Sequence, residues 1–342
     1  MMRFNGAALA AGLAMLMVVG CNSGGDTNTT TDNKPAVGGT DKKPDFTIAV
    51  IPKGSTHDYW KALHAGANAA EKEFNVHIIF KGPLKEDDKE DQIKTVEDFT
   101  TQKVDGIVLA PLDNVALAKP VDAAVAAKIP VVVIDSSLES KTYSATAMTN
   151  NYKGGQMAGD AMAKLLGGKG SVIMLRYEAG SASTMDREKG FLDAIAKSTG
   201  IKVLSSNQEG GATVDSAQQK AEGLLGGFKN PDGSSQAQGI YCPNESTTAG
   251  MLLVLDELHW AGKVKFVGFD SSPKLLDGMT AGKIDALVVQ DPFKMGHDSV
   301  ATMVKILKKQ PFDKDEDTGA TLVTKANMNQ PEIAKLISPP QD

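Results

Sequence analysis

The chain has only two cysteines in 342 residues, Cys21 and Cys242. One closes an apolar leader and the other sits in an apolar strand, so no disulfide framework staples the fold. Histidine is nearly as scarce, and none of His57, His64, His77, His259 and His297 falls in a metal-ligand spacing such as His-Glu-x-x-His. A Gly-x-Ser-x-Gly elbow, a phosphate-cradling Gly loop ending in Lys-Ser/Thr and a Gly-x-Gly-x-x-Gly turn are all missing. Their absence removes the signatures of serine hydrolases, P-loop proteins and dinucleotide enzymes. No catalytic residue, metal or cofactor is therefore expected. The formal charge of −6 is spread without a clustered basic face, which argues against a nucleic-acid partner. The one long apolar run, residues 7–19, is shorter than the roughly 20 residues a spanning helix needs.

That run is informative by its position. Arg3 precedes it and Gly20-Cys21 ends it, the layout of a secretory signal cut at small residues. Val18-Val19-Gly20-Cys21 resembles a bacterial lipobox, in which the new N-terminal cysteine is lipidated. From residue 22 to 43 the chain is mostly Ser, Gly, Thr, Asn, Asp and Lys. Such a segment cannot bury enough surface to fold, and it behaves as flexible coil. The expected order is a signal peptide (1–20), a lipidated Cys21 with a tether (21–44), and then the folded protein on the outer side of a bacterial membrane.

With 41% hydrophobic and 23% charged residues, the remainder can bury a core. Its length favours two domains. Strands are expected at 46–51, 76–80, 106–110, 131–135, 143–148, 171–175, 202–205, 239–242, 265–269, 286–290 and 321–324. Helices of good period lie between most of them; Trp60, Leu63, Ala67, Ala70 and Phe74 share one face. Continuous apolar strands alternating with helices mean buried parallel sheet, an α/β fold with right-handed crossovers. The polar junction 149–155 divides the strands into two halves, so two doubly wound lobes are expected, residues 45–148 plus 291–319 and residues 149–290 plus 320–338. The acidic run 313–317 reads as a solvated turn.

In such sheets ligands bind beyond the carboxyl ends of the strands, and the residues there are polar. The stretch 46–60 ends in His57, Asp58, Tyr59 and Trp60. Tyr59 and Trp60 occupy different helical faces and are not expected to share one core layer. Asp135-Ser136-Ser137 ends the fourth strand, Thr149-Asn150-Asn151 the fifth, and Arg176-Tyr177-Glu178 a strand of the second half. Asn244-Glu245, Asp270-Ser271 and Gln290-Asp291 follow later strands. Carboxylates and amides can hold a hydroxyl-rich ligand in several directions, and aromatic faces suit its C–H surface. Helix capping competes with binding for Asn114, Asn151 and Ser272. Asp135 and Asp270 emerge from dry strands and are the strongest candidates.

The segments FTIAVIPKGSTHDYW, DGIVLAPLDN, IPVVVIDSS, TNNYKGGQMAGDAMAKLL, REKGF, YCPNESTTAGML, VGFDSSP and DALVVQDPFKMG together resemble type I periplasmic binding proteins of the ribose/galactose class. The resemblance covers about 45–335. It implies two Rossmann-like lobes joined by a three-stranded hinge, closing over a monosaccharide or polyol. It further implies delivery to an ABC permease and a monomeric state; the alternatives are sensing through a membrane kinase or chemoreceptor, or binding of a non-sugar metabolite. Carried over by motif, the ligand contacts are His57, Tyr59, Trp60, Asp135, Asn244, Asp270 and Gln290; Ser136, Asn150 and Arg187, at strand ends or near them, complete the expected set. Two positions depart from the ribose pattern: Ser136 stands where an arginine is usual, and Met185 takes another arginine's place, leaving Arg187 two residues on.

Overall fold

The computed structural model describes residues 43–340; the leader, Cys21 and nearly all of the expected tether lie outside them. Strands and helices alternate throughout. The first half runs β1 (Thr47–Ile51), α1 (Asp58–Phe74), β2 (His77–Phe80), α2 (Lys89–Gln102), β3 (Gly106–Leu109), α3 (Ala118–Ala126), β4 (Val131–Ile134) and β5 (Ala145–Met148). The second begins with α4 (Asn151–Leu165), β6 (Lys169–Arg176), α5 (Ala182–Ala196), β7 (Gly200–Glu209) and α6 (Val214–Gly226). It continues with β8 (Gly239–Tyr241), α7 (Glu245–Glu257), β9 (Lys265–Phe269), α8 (Pro273–Thr280) and β10 (Ala286–Gln290). The chain ends with α9 (Pro292–Leu307), β11 (Asp315–Asp317), β12 (Ala320–Val323) and α10 (Pro331–Ile337).

Two six-stranded sheets result, in the orders β11-β5-β4-β3-β1-β2 and β12-β10-β9-β8-β6-β7. All pairs are parallel except β10–β12. Because successive strand residues point to opposite faces, each sheet feeds two cores. Ile48 and Val50 of β1 enter one and Ala49 and Ile51 the other. Val267 and Phe269 face away from Phe266 in the same way. Helices thus cover both faces of each sheet, the doubly wound α/β architecture. The chain passes between the sheets after β5, after β10 and between β11 and β12.

Two expectations need correction. The acidic run is not merely a turn: Asp315–Asp317 forms β11 and pairs in parallel with Thr146–Met148. It lies at a sheet edge with its carboxylates largely outward, where charge is tolerated and discourages pairing with other chains. Tyr59 and Trp60 do share one core, with ring centroids 4.8 Å apart at 89°. At the start of α1 Tyr59 reaches toward α9, so adjacent residues can both be buried there. Helix pairs within a lobe approach to backbone contact. A Cβ on Gly66 of α1 would stand 2.0 Å from the Phe293 carbonyl oxygen, and one on Gly155 of α4 would stand 2.0 Å from that of Arg187.

Candidate functional site

The carboxyl ends of both sheets converge on one buried cavity. Asp135 and Asp270 hold matching places in it, each directly following an interior strand, β4 and β9. Both adopt positive φ, 61° and 66°. Aspartate enters this left-handed region more readily than most residues, and such strained residues cluster where function requires them. The sequence carries the match as Ile134-Asp135-Ser136-Ser137 and Phe269-Asp270-Ser271-Ser272.

Around these two aspartates the cavity is lined by Lys53, His57, Glu86, Arg187 and Glu245, together with Tyr59, Trp60, Tyr177, Asn244 and Gln290. The charges are arranged in linked groups. Lys53 Nζ lies 2.7 Å from Asp135 Oδ2 and donates to Ser136 Oγ (2.8 Å) and Ser183 Oγ (2.9 Å). Tyr59 donates its hydroxyl to Asp135 Oδ1 at 2.9 Å. Glu86 takes three partners: His57 Nδ1 at 2.5 Å, Trp60 Nε1 at 2.6 Å and the Tyr177 hydroxyl at 2.8 Å. Burial alone would lower the His57 pKa, but the Glu86 carboxylate overrides it and raises the pKa to about 9, so the imidazole is cationic at neutral pH. Burial works against the Glu86 charge too, yet His57 holds that carboxyl down to about 2.

The second lobe contributes its own network. Asp270 Oδ2 accepts from the Glu245 N–H (3.0 Å) and Oδ1 from Gln290 Nε2 (2.7 Å), with Arg187 Nη1 3.9 Å away. Burial raises its pKa and Arg187 opposes the rise. The Arg187 guanidinium lies over the Phe269 ring at 3.9 Å and donates to Asn151 Oδ1 and the Pro243 carbonyl. Its Nη2 and Gln290 Oε1 are buried without a hydrogen-bond partner. Buried polar atoms left open in this way are where a ligand's hydroxyls would be read.

Several bonds cross between the lobes, so the cleft is closed. Tyr177 reaches Glu86, Ser183 reaches Lys53, and the Ser183 N–H donates to Ser136 Oγ at 3.1 Å. Helix α1 has no side-chain cap of its own. The Glu245 carboxylate of the opposite lobe accepts from the Tyr59 and Asp58 N–H groups at 3.2 and 3.4 Å. Acceptors at a helix N-terminus satisfy orphan donors and suit the dipole. Burial pushes Glu245 up to about 7, with His57 pulling the other way.

Of the residues expected from sequence, His57, Tyr59, Trp60, Asp135, Arg187, Asn244, Asp270 and Gln290 line the cavity. Ser136 stands behind it, fully buried, accepting from Lys53 and the Ser183 backbone. Asn150 is elsewhere: it is exposed, and its amide oxygen caps α4 through the Lys153 N–H. Its neighbour Asn151, weighed as a cap, instead bridges Arg187 and the Asp135 carbonyl. Asn244 faces the cavity while its side-chain oxygen caps α7. Met185 is exposed and does not line the cavity, whereas Arg187 enters it. Lys53, Glu86, Tyr177, Ser183 and Glu245 were missed. Lys53, in the Pro-Lys-Gly turn after β1, and Tyr177 and Glu245, among the strand-end residues, were visible in position. Glu86 lies six residues past β2 in a charged loop, with no signal to mark it.

Among the described residues no group of His, Cys, Asp and Glu is arranged to hold a metal ion, and no helix is long and apolar enough to cross a membrane. The periplasmic binding protein domain profile matches residues 48–311. A D-ribose/D-allose-binding protein of Pseudomonas aeruginosa is 27% identical, covering 79% of this chain and 85% of its own. A carbohydrate transporter solute-binding protein of Agrobacterium radiobacter, solved with D-arabinose, is 33% identical with a TM-score of 0.81, covering 86% of this chain and 99% of that one. A solute-binding protein of Agrobacterium vitis with D-fucose bound is likewise 33% identical, with a TM-score of 0.80 over 85% of this chain and all of its own (100%). With most of its length matched by the profile and by these structures, the chain belongs to the periplasmic binding protein domain family.

Proposed function

We propose that this protein is the solute-binding component of an ABC importer, capturing a monosaccharide or polyol between its lobes and handing it to the permease. One observation carries the reading: both lobes send charged and hydrogen-bonding side chains, with two aromatic rings of α1, to one buried cavity. Carboxylate pairs, a guanidinium with a free donor and an amide with a free acceptor match the mixed donor–acceptor character of hydroxyls. The names of the sugar-binding relatives point the same way.

The cavity measures about 30 Å³ in the closed form, room for little more than water. A sugar therefore enters an open form and takes over bonds the lobes now make to each other. The moving bodies are residues 45–148 plus 291–319 and residues 149–290 plus 320–338. His57, Tyr59, Trp60, Asp135, Arg187, Asp270 and Gln290 are the proposed contacts, with Lys53 and Glu245 added. Anchoring through a lipidated Cys21 and the tether would keep a monomeric receptor beside the permease, at the outer face of the cytoplasmic membrane or in the periplasm.

Thermal unfolding of the purified protein with D-arabinose, D-fucose, D-ribose and D-allose tests the reading. A sugar at 100 times its dissociation constant should add about 2.7 kcal/mol of stability. No shift with any sugar, polyol or amino acid, after unfolding and refolding to strip endogenous ligand, would refute it.

A further inference from the structure

Beside the small cavity lies a larger chamber of about 180 Å³, and the two share Tyr59, Asp270 and Gln290 in their walls. The chamber differs in character from the charged site. Its wall is mixed: Ala62 of α1, Leu276 of α8, Pro292 of α9 and Ile337 near the chain end make an apolar side, and Asp58, Ser271, Ser272 and Ser338 a polar one. Elements of both lobes and the end of the chain thus border a recess that opens to solvent on one side. At the junction, Gln290 is 2% exposed and its Oε1 has no partner. An unpaired buried acceptor beside a recess with one apolar side suits a ligand with a hydroxyl at that point and an apolar group beyond it.

We infer that the chamber is a second ligand subsite, and that the protein takes glycosides: a sugar ring held by Asp135, Asp270 and Arg187, with an alkyl or aryl substituent in the chamber. This rests on the sugar-binding reading above and extends it to the class of sugar derivative. Gln290, which reaches both spaces, reads the hydroxyl nearest the substituent.

The experiment compares calorimetric titrations of the purified protein with free D-arabinose, D-fucose, D-ribose and D-allose and with the methyl and phenyl glycosides of each. The same titrations are run on Ala62→Leu of α1 and Leu276→Phe of α8, which add bulk to the chamber at residues that do not line the charged site. At least one phenyl glycoside is expected to bind about tenfold or more tighter than its free sugar, the scale on which apolar pockets discriminate small groups. Both variants should erase that gain and leave the free sugar within about threefold of its original affinity. If free sugars bind and every glycoside binds more weakly, or if the gain survives both variants, the subsite is wrong while the sugar reading stands. If neither free sugars nor glycosides bind, the sugar reading itself fails and the inference with it.

Discussion

Replacing Tyr177 by phenylalanine removes one hydroxyl and tests whether the lobes are latched through Glu86. Tyr177 is 2% exposed, and its hydroxyl meets Glu86 of the other lobe at 2.8 Å. A hydrogen bond to a charged group contributes about 1.5–3 kcal/mol net. The lower end applies, because Glu86 keeps His57 and Trp60 and is not orphaned. The bond exists only when the cleft is closed, so its loss removes that energy from the liganded, closed form and takes nothing from the open form that the sugar enters. About 1.5 kcal/mol corresponds to roughly tenfold weaker sugar binding. Calorimetry on Tyr177→Phe reads this directly. An unchanged dissociation constant, within about twofold, would refute the latch.

Other outcomes follow from the same geometry. Gly155→Ala places a methyl 2.0 Å from the Arg187 carbonyl oxygen; overpacking at such contacts costs about 1–3 kcal/mol, so urea unfolding should show that loss, with weaker sugar binding as Arg187 shifts. The His57 pKa is raised from 6.5 to about 9, so its stabilisation is complete below pH 6.5 and fades as pH rises through 9. At 1.36 kcal/mol per unit this amounts to about 3 kcal/mol, with the His57–Glu86 pair counted once. The Glu86 side of the same pair, lowered from 4.5 to about 2, is lost as pH falls through that range. Urea unfolding at pH 6 and pH 9 should therefore show a decline in the parent that is much smaller in His57→Gln; equal declines would rule out this origin.

The fold was legible because each strand is a short continuous apolar run, and 131–134 and 265–269 are as regular in the structure as in the sequence. Asp315–Asp317 escaped because an edge strand of carboxylates has no hydrophobic signal; its pairing partner, β5, supplies the order. At the site, residues that follow strands directly were readable, since strand ends face the cleft in any such sheet. Glu86 was not, because a loop residue six positions past a strand is brought in by tertiary contacts, to His57, Trp60 and Tyr177 and through the loop's packing on the turn after β1. Asn150 misled for a related reason: capping and ligand binding select the same residue type at the same place in the chain. Arg187 lies on the cavity-facing side of α5 and Met185 on its exposed side, a distinction that two positions of sequence spacing did not convey.

The central claim is that one carboxylate from each lobe holds the ligand. It is tested most directly by calorimetric titration of Asp135→Asn and Asp270→Asn with the sugar that stabilises the parent protein. Asparagine keeps the size and the tolerance for positive φ, so only the charge and its accepting geometry change. Each single variant is expected to lose binding by about a hundredfold or more, in line with about 3 kcal/mol for a charged hydrogen-bond partner; both should stay folded by circular dichroism, with a lower thermal midpoint for Asp135→Asn because buried Lys53 loses its carboxylate. Undiminished affinity in either variant would contradict the two-lobed site.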